Sequence, residues 1–412
     1  MNRSEIIRSD DLRAENRHRI LRALRQQGSI TRAKAGMLTG LSQAALSTLF
    51  SSMIEQGLVI SSSDSGKAMK RGRPLTSVSL NAQAAVAVAV SLTMNQLKVC
   101  LVDYAGNTIK KHILELDTKR LIEPKINDVI VSAITSTLEN TVEGEPNIQG
   151  ISLGFQGVTD SIAGDLLWSP ILSVDRLPIC HTLEQQFKVP VTVNNDCNLI
   201  SKALHNSQRQ QLGDSFAAVL FSHGVGLGVY LSGSPFSGPQ SSALELGHIQ
   251  YERDGALCRC GKRGCIEAYA SDYGIMRTAK SLPENEVYPQ LVSDKEIDDL
   301  INAANAGDDQ ARLAFSIAGK AIGAGLATVF TLLDPMPVAL VGHNTNAVNL
   351  MKIEIQKSIE VAGRSPKNFT NLIHCYHEDA SLLHTGLVLD AMATLDRGFA
   401  HNTNTVISPE LV

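Results

Sequence analysis

The spacing of apolar residues divides the chain into a helical head and a body of alternating strands and helices. Between Leu12 and Gln27, Ile20, Leu21 and Leu24 share one helical face, and Arg13, Arg17, Arg19, Arg22 and Arg25 occupy much of the rest. Gly28 stops that helix. Thr31 is placed to cap a second helix ending near Gly40. Ser42 is placed to cap a third, Gln43 to Gln56, with Ala45, Leu46, Leu49, Met53 and Ile54 turned inward. Two helices joined by a Gly-Leu-Ser turn follow the helix-turn-helix plan, whose last helix enters the major groove. The residues it would present are Ser42, Gln43, Ala44, Ser47 and Thr48, small or hydrogen-bonding as groove entry requires. A strand opening at Gly57, a polar loop and a strand returning through Val78 and Leu80 read as a wing. Its basic tip, Lys70, Arg71 and Arg73, suits phosphates or a minor groove.

Strand periodicity begins at Val86–Val90, Leu97–Val102 and Thr108–Leu116, with a hairpin turn at Asp103–Asn107. A helix near 124–140, strands at Ile148–Leu153 and Val189–Val193, and a helix after Asn195-Asp196 complete a β-β-β-α-β-α series. That order is a half-domain of the actin-like ATPase, or ribonuclease H-like, fold. It restarts at Phe216–Leu220 and Val225–Leu231 and runs through helices to a strand at Pro337–Val341. The expected chain is therefore α/β: a winged helix-turn-helix followed by a two-lobed actin-like domain with a zinc loop. The divisions are a DNA-binding domain at 1–82, a first lobe at 83–200 completed by a helix at 380–396, and a second lobe at 201–379. The second lobe would also carry an oligomerisation surface, and 397–412 is a flexible tail.

Charge sharpens this division. Residues 1–80 hold 13 Lys and Arg against 6 Asp and Glu, a balance of +7, while the remainder carries −11. A basic head on an acidic body directs an anionic partner to the head. Aromatics at 4% argue against a large base-stacking surface. With no apolar run of about 18 residues and no signal peptide, the chain is expected in the cytoplasm, on the nucleoid when DNA-bound, without a membrane partner.

Two stretches carry candidate chemistry. The first, Glu245 to Glu267, holds His248, Cys258, Cys260 and Cys265, a complete tetrahedral set for Zn2+. A closed four-ligand site leaves no position for reactive water, so the metal would be structural. The alternative is a loop of reduced cysteines. The second stretch, Val193–Asn198, places Asn195 and Asp196 at a strand end entering a helix, where small polar ligands bind. Asn-Asp is equally a good helix cap.

Together these stretches resemble the ROK family (repressor, open reading frame, kinase) of bacterial sugar-dependent regulators and sugar kinases. The resemblance spans about residues 12–395. It rests on Gly150–Asp160, Asn195–Asn198, Gly224–Gly228, Glu245–His248 and Cys258–Glu267. The helical head resembles the family's repressor branch, which includes regulators responsive to N-acetylglucosamine, glucose and xylose. The resemblance implies a sugar pocket at Asn195, Asp196, Glu245, His248, Glu267 and Gly157. Asp196 falls where the kinases have their general base. His248 falls where one ring nitrogen serves zinc and the other the sugar.

The departures decide the expected activity. The kinases' Asp-x-Gly-Gly-Thr phosphate loop is Ser91-Leu92-Thr93-Met94-Asn95 here, and a later nucleotide turn is Val341-Gly342-His343-Asn344-Thr345. Gln156 replaces a proline, and Ile171 a frequent sugar-contacting asparagine. The expectation is a non-enzymatic regulator, a repressor of carbohydrate uptake or catabolism genes. It would bind operator DNA as a homodimer or homotetramer and respond to a sugar or sugar phosphate. The alternatives are an active sugar kinase with an added DNA-binding domain, and a repressor controlled by a sugar-transport protein.

Overall fold

The structure is a computed structural model that describes residues 9–63, 76–122, 125–139, 147–174, 176–238, 244–363 and 369–401. The head comprises α1 (Ser9–Gln27), β1 (Ser29–Thr31), α2 (Arg32–Thr39), α3 (Gln43–Glu55), β2 (Val59–Ser63) and β3 (Thr76–Leu80). Short polar side chains start its helices. Thr31 accepts from the Lys34 amide and Ser42 from the Ala45 amide, each filling an orphan donor. Ile20, Leu21, Leu24, Leu46, Phe50 and Met53 are fully buried between the helices. Ile54, expected inward, is 36% exposed because it lies on the flank of that stripe. The short β1 was not foreseen; it joins β3 and β2 in one sheet, order β1-β3-β2. Lys70, Arg71 and Arg73 of the expected wing tip lie outside the described residues.

The first lobe contains β4 (Val86–Thr93), β5 (Gln96–Asp103), β6 (Thr108–Glu115), α4 (Lys125–Glu139), β7 (Ile148–Phe155), β8 (Val158–Asp160), β9 (Asp165–Trp168), α5 (Ile179–Phe187), β10 (Val191–Asn195), α6 (Asp196–Ser207) and α7 (Arg209–Leu212). The second contains β11 (Phe216–Phe221), β12 (Val225–Leu231), β13 (Ser234–Pro235), α8 (Glu267–Ala270), α9 (Asp272–Ala279), α10 (Asp294–Ala306), α11 (Asp309–Leu333), β14 (Val338–Val341), α12 (Val348–Val361) and β15 (Ile373–Tyr376). The sheet orders are β10-β7-β4-β5-β6 and β13-β12-β11-β14-β15. In each, an antiparallel edge adjoins a parallel half, so the two lobes repeat one plan. The ends of β4, β7 and β10 meet the β11–β12 turn of the second lobe at a cleft.

By length and composition α11 could cross a membrane, a segment the sequence did not disclose because Arg312 and Lys320 interrupt it. Yet 67% of its apolar window is buried. Gly319 and Gly323 let α12 approach closely, which is the packing of a core helix.

The chain closes with α13 (Asp379–His401), which lies on the first lobe beside α6, β4 and β7. Residues 397–401, expected to begin a flexible tail, continue this helix. Phe399 is buried edge-on against Tyr104, 5.6 Å between ring centroids, which holds the last turn. Asp390 of α13 accepts from Ser152 Oγ (3.0 Å), Thr192 Oγ1 (2.9 Å), Asn194 Nδ2 (3.0 Å) and Lys202 Nζ (2.7 Å), tying two strands and α6 to one carboxylate. Burial works to raise this carboxyl, but Lys202 and the hydroxyl donors outweigh it and hold it below the usual carboxylate range. The head docks on the same helix: Arg25 donates to Asp396 Oδ1 (2.6 Å) and to the Tyr104 carbonyl (2.7 Å).

Asp390→Ala leaves a half-buried ammonium and three donors without their acceptor. It should cost about 2–3 kcal/mol in urea unfolding of the full chain, less than a fully buried pair because solvent reaches Lys202. A loss below about 1 kcal/mol would mean that the node is dispensable.

Candidate functional site

The cleft is built where β10 runs into α6. Asn195 is the N-cap of α6, accepting from the Cys197 (2.9 Å) and Asn198 (3.3 Å) amides. It also donates through Nδ2 to the Gly157 carbonyl (2.7 Å), which joins α6 to the β7–β8 turn. Only one N–H of its amide remains for a ligand. Gly157 sits at φ +132°, and a Cβ there would lie 2.2 Å from the Trp168 carbonyl oxygen, so the turn admits no side chain.

Asp196, Glu245, His248, Glu267, Asn195 and Gly157 line one cavity of about 60 Å³, together with Met94, Gln156, Ile171, His223 and Arg259. All six residues expected from the sequence to contact a ligand are thus brought together. Burial raises the Asp196 carboxyl to about 6, although it accepts the Cys197 amide at the positive end of α6. Burial raises Glu245 further, to about 7, and the charges of Asp196 and Glu267 add to this. Glu267 opens α8 and accepts from the Val225 amide (3.3 Å) and the Tyr273 hydroxyl (3.3 Å). The result is three carboxyl groups converging on a small volume, with His248 Nε2 3.7 Å from Glu245 Oε2. Such a ring offers acceptors and protonated donors to the hydroxyls of a neutral polyol.

Behind this wall lies the cysteine cluster. One ligand atom from each of His248, Cys258, Cys260 and Cys265 lies within 4.8 Å of every other. His248 Nδ1 is 3.8 Å from Cys258 Sγ, and Cys260 Sγ is 3.8 Å from Cys265 Sγ. The turn that makes this possible needs Gly264: at φ +76°, a Cβ would fall 1.6 Å from the Glu252 carbonyl oxygen. His248 therefore faces two ways, Nδ1 toward the sulfurs and Nε2 toward the cleft.

On the opposite side, the turn after β4 departs from a phosphate grip. Asn95 takes φ +59° and is pinned by Thr118, whose Oγ1 donates to Asn95 Oδ1 (3.2 Å). The Met94 amide, which could have faced an anion, donates instead to Gln156 Oε1 (3.0 Å). Two of the departures noted in the sequence, the altered loop and Gln156, are thus one interaction. His223 Nδ1 is paired with Asp272 in a short hydrogen bond, and His343 Nε2 with Asp298 (2.9 Å). The Asp272 bond raises the His223 imidazole above its usual range despite burial.

A model of the ROK family matches residues 87–383. The chain belongs to the ROK family. A xylose repressor of Caldicellulosiruptor bescii is 24% identical over 336 residues, covering 80% of this chain and 83% of the relative. The DNA-binding transcriptional dual regulator NagC of Escherichia coli K12 is 24% identical over 341 residues, covering 82% and 83%. Among solved structures, a ROK family transcriptional regulator, a homolog of the E. coli MLC protein, has a TM-score of 0.75 at 21% identity. It covers 95% of this chain and 98% of its own, head included.

Against the ROK frame, the sequence missed Trp168, His223, Arg259 and Tyr273. Trp168 crosses from the first lobe to meet His248 edge-on, 5.3 Å between centroids. Its being the single tryptophan was the available signal. Arg259 sits between two cysteines of the cluster, its guanidinium 4.2 Å from the Tyr273 ring centroid.

On the head, Ser42, Gln43, Ala44, Ser47 and Thr48 are all exposed along α3. Thr48 Oγ1 bonds back to the Ala44 carbonyl (3.2 Å), which leaves Gln43 and Ser47 as the freer polar groups.

The raised Asp196 carboxyl has a consequence for stability. A folded-state value of about 6 against 3.8 means its contribution is complete below pH 4 and lost as pH rises through about 6. The full effect is about 3 kcal/mol. Asp196→Asn should flatten the fall in stability between pH 4 and 6, followed by urea midpoints across that range. A variant as steep as wild type would place the titration elsewhere.

Proposed function

We propose that this protein is a bacterial, cytoplasmic, sugar-responsive transcriptional regulator, a repressor of carbohydrate uptake or catabolism genes. The observation that carries this reading is a polyol-type cleft joined to a degraded phosphate loop in a chain with an exposed, capped α3. Asp196, Glu245, His248 and Glu267 hold the sugar hydroxyls, Asn195 and Gly157 shape the floor, and Asp196 stands where a kinase would keep its base. The Met94–Gln156 bond removes the amide a phosphate would need, and His223–Asp272 occupies the adjoining turn. The cleft therefore binds its sugar without phosphorylating it.

The cluster of His248, Cys258, Cys260 and Cys265 holds a structural Zn2+. A tetrahedral zinc with sulfur and nitrogen ligands puts neighbouring donors roughly 3.6–3.8 Å apart, which the 3.8 Å pairs match. The ion would supply charge that keeps the thiols ionised and fixes the His248 ring, leaving Nε2 for the sugar.

The α2–turn–α3 unit with the β2–β3 hairpin acts as a winged helix-turn-helix. Gln43 and Ser47 read bases, Ser42, Ala44 and Thr48 fit the groove, and Lys70, Arg71 and Arg73 contact phosphates. Such units read paired half-sites, so the working form is a homodimer or homotetramer. The sugar releases DNA to the extent that it prefers the form that binds operator poorly.

Two outcomes are expected. Cys260→Ser should drop zinc content, measured by elemental analysis, well below one ion per chain; unchanged zinc would refute the metal assignment. On an operator selected from a random DNA pool, Gln43→Ala should weaken binding by at least ~10-fold, and the effective sugar should weaken wild-type binding. Phosphoryl transfer from ATP to a monosaccharide by the purified chain would show an active kinase instead.

A further inference from the structure

We propose that a second ligand site lies at the junction of head and body and takes a small phosphate monoester. A cavity of about 170 Å³, larger than the cleft, opens where α1 crosses α6 and α13. Arg22 and Arg25 of α1, Lys202 and His205 of α6, Tyr230 of β12 and Asp396 of α13 form its walls. α3, the helix with the exposed polar face, contributes nothing to it.

The charges do not balance. Among the described residues Asp396 is the sole carboxylate on the wall, and it is already taken by Arg25 Nη2 (2.6 Å) and the Tyr104 hydroxyl (2.7 Å). The carboxylates behind the wall are also engaged, Asp390 by Lys202 and Asp214 by His205 and Arg209. Arg22 has no ion pair or hydrogen bond among the described residues. His18 of α1, on the same wall, has none either. Arg17, buried one turn earlier beside Tyr104 and Asp396, keeps Nε and Nη2 without partners. The Arg22 guanidinium is near enough to His205 and Tyr230 to act on both. Burial lowers the His205 imidazole, and the Arg22 charge lowers it further.

Arg25 is matched by Asp396 and Lys202 by Asp390, so the surplus is carried by Arg22 on the wall and by Arg17 behind it, two permanent cations for a dianion. Guanidinium and ammonium groups match phosphate oxygens in charge and in hydrogen-bond geometry. Tyr230, held in a stack with His205 (4.6 Å) and Phe216 (5.4 Å), brings its edge to the wall beside Leu389 and Ala393, which face the organic part of the molecule. A volume of about 170 Å³ suits a small metabolite. A ligand here touches α1 and α6 at once. It would bias the docking of the head, by its preference for the docked state.

Isothermal titration of the full chain at constant ionic strength tests this with glucose 6-phosphate, inorganic phosphate and glucose. Glucose 6-phosphate should keep its Arg22-dependent binding in Asp196→Asn, whose change lies in the cleft. It should bind Arg22→Gln about ten-fold more weakly and Arg22→Glu not at all. Arg22 is exposed, so both variants should keep the wild-type thermal midpoint. Undiminished binding by Arg22→Glu, or loss of binding in Asp196→Asn, would overturn the site. Binding of inorganic phosphate as tight as that of glucose 6-phosphate would overturn the assignment to an ester. No binding of either phosphate by wild type would overturn both.

Discussion

Three thiols and one imidazole gathered within 4.8 Å fix the wall of the cleft that the second lobe supplies. Cys258 is buried against Glu267 and the Tyr273 hydroxyl, so the cluster and the cleft share side chains. Burial pushes the Cys258 thiol up, and Glu267 adds to it; a cation at the cluster would oppose both effects. The same ion would set which nitrogen of His248 faces Glu245. The orientation of one imidazole thus depends on a turn that only Gly264 allows, with Glu252 directly behind it.

From the opposite wall, structure runs without a break to the head. Asp196 opens α6, and α6 lies along α13, where Gly386 lets the two backbones approach closely. Asp390 fastens α13 to α6 and to the strands beside the cleft, and Asp396 fastens it to Arg25 of α1. One apolar cluster holds Ile20 and Leu24 of the head, Leu199 of α6 and Leu387 of α13. A change in how α6 sits would therefore be felt by α1 through packed helices. That is the kind of two-ended element through which a ligand and an operator can be linked.

Much of this was legible in the sequence, for physical reasons. Caps and breakers placed α2 and α3 because Thr31, Gly40 and Ser42 act locally. The four metal-type ligands were legible because a tight Cys-x-Cys turn with glycines has few other uses. The six cleft residues converge, although Asn195 spends most of its amide as a cap. What was not legible depended on partners distant in the chain. The pairing of Met94 with Gln156 spans 62 residues, and that of Arg25 with Asp396 spans 371. The end of α13 was misplaced because Phe399 is held by Tyr104, which no local pattern discloses.

Trp168 offers the most direct test of the central claim that the cleft binds a sugar. It is the single tryptophan, and its ring meets that of His248, which lines the cleft. Titration of the full chain with a panel of monosaccharides, followed by tryptophan fluorescence, should give a saturable change with at least one sugar, lost in Asp196→Ala. A flat signal for every sugar, or a response that survives in Asp196→Ala, would contradict the account.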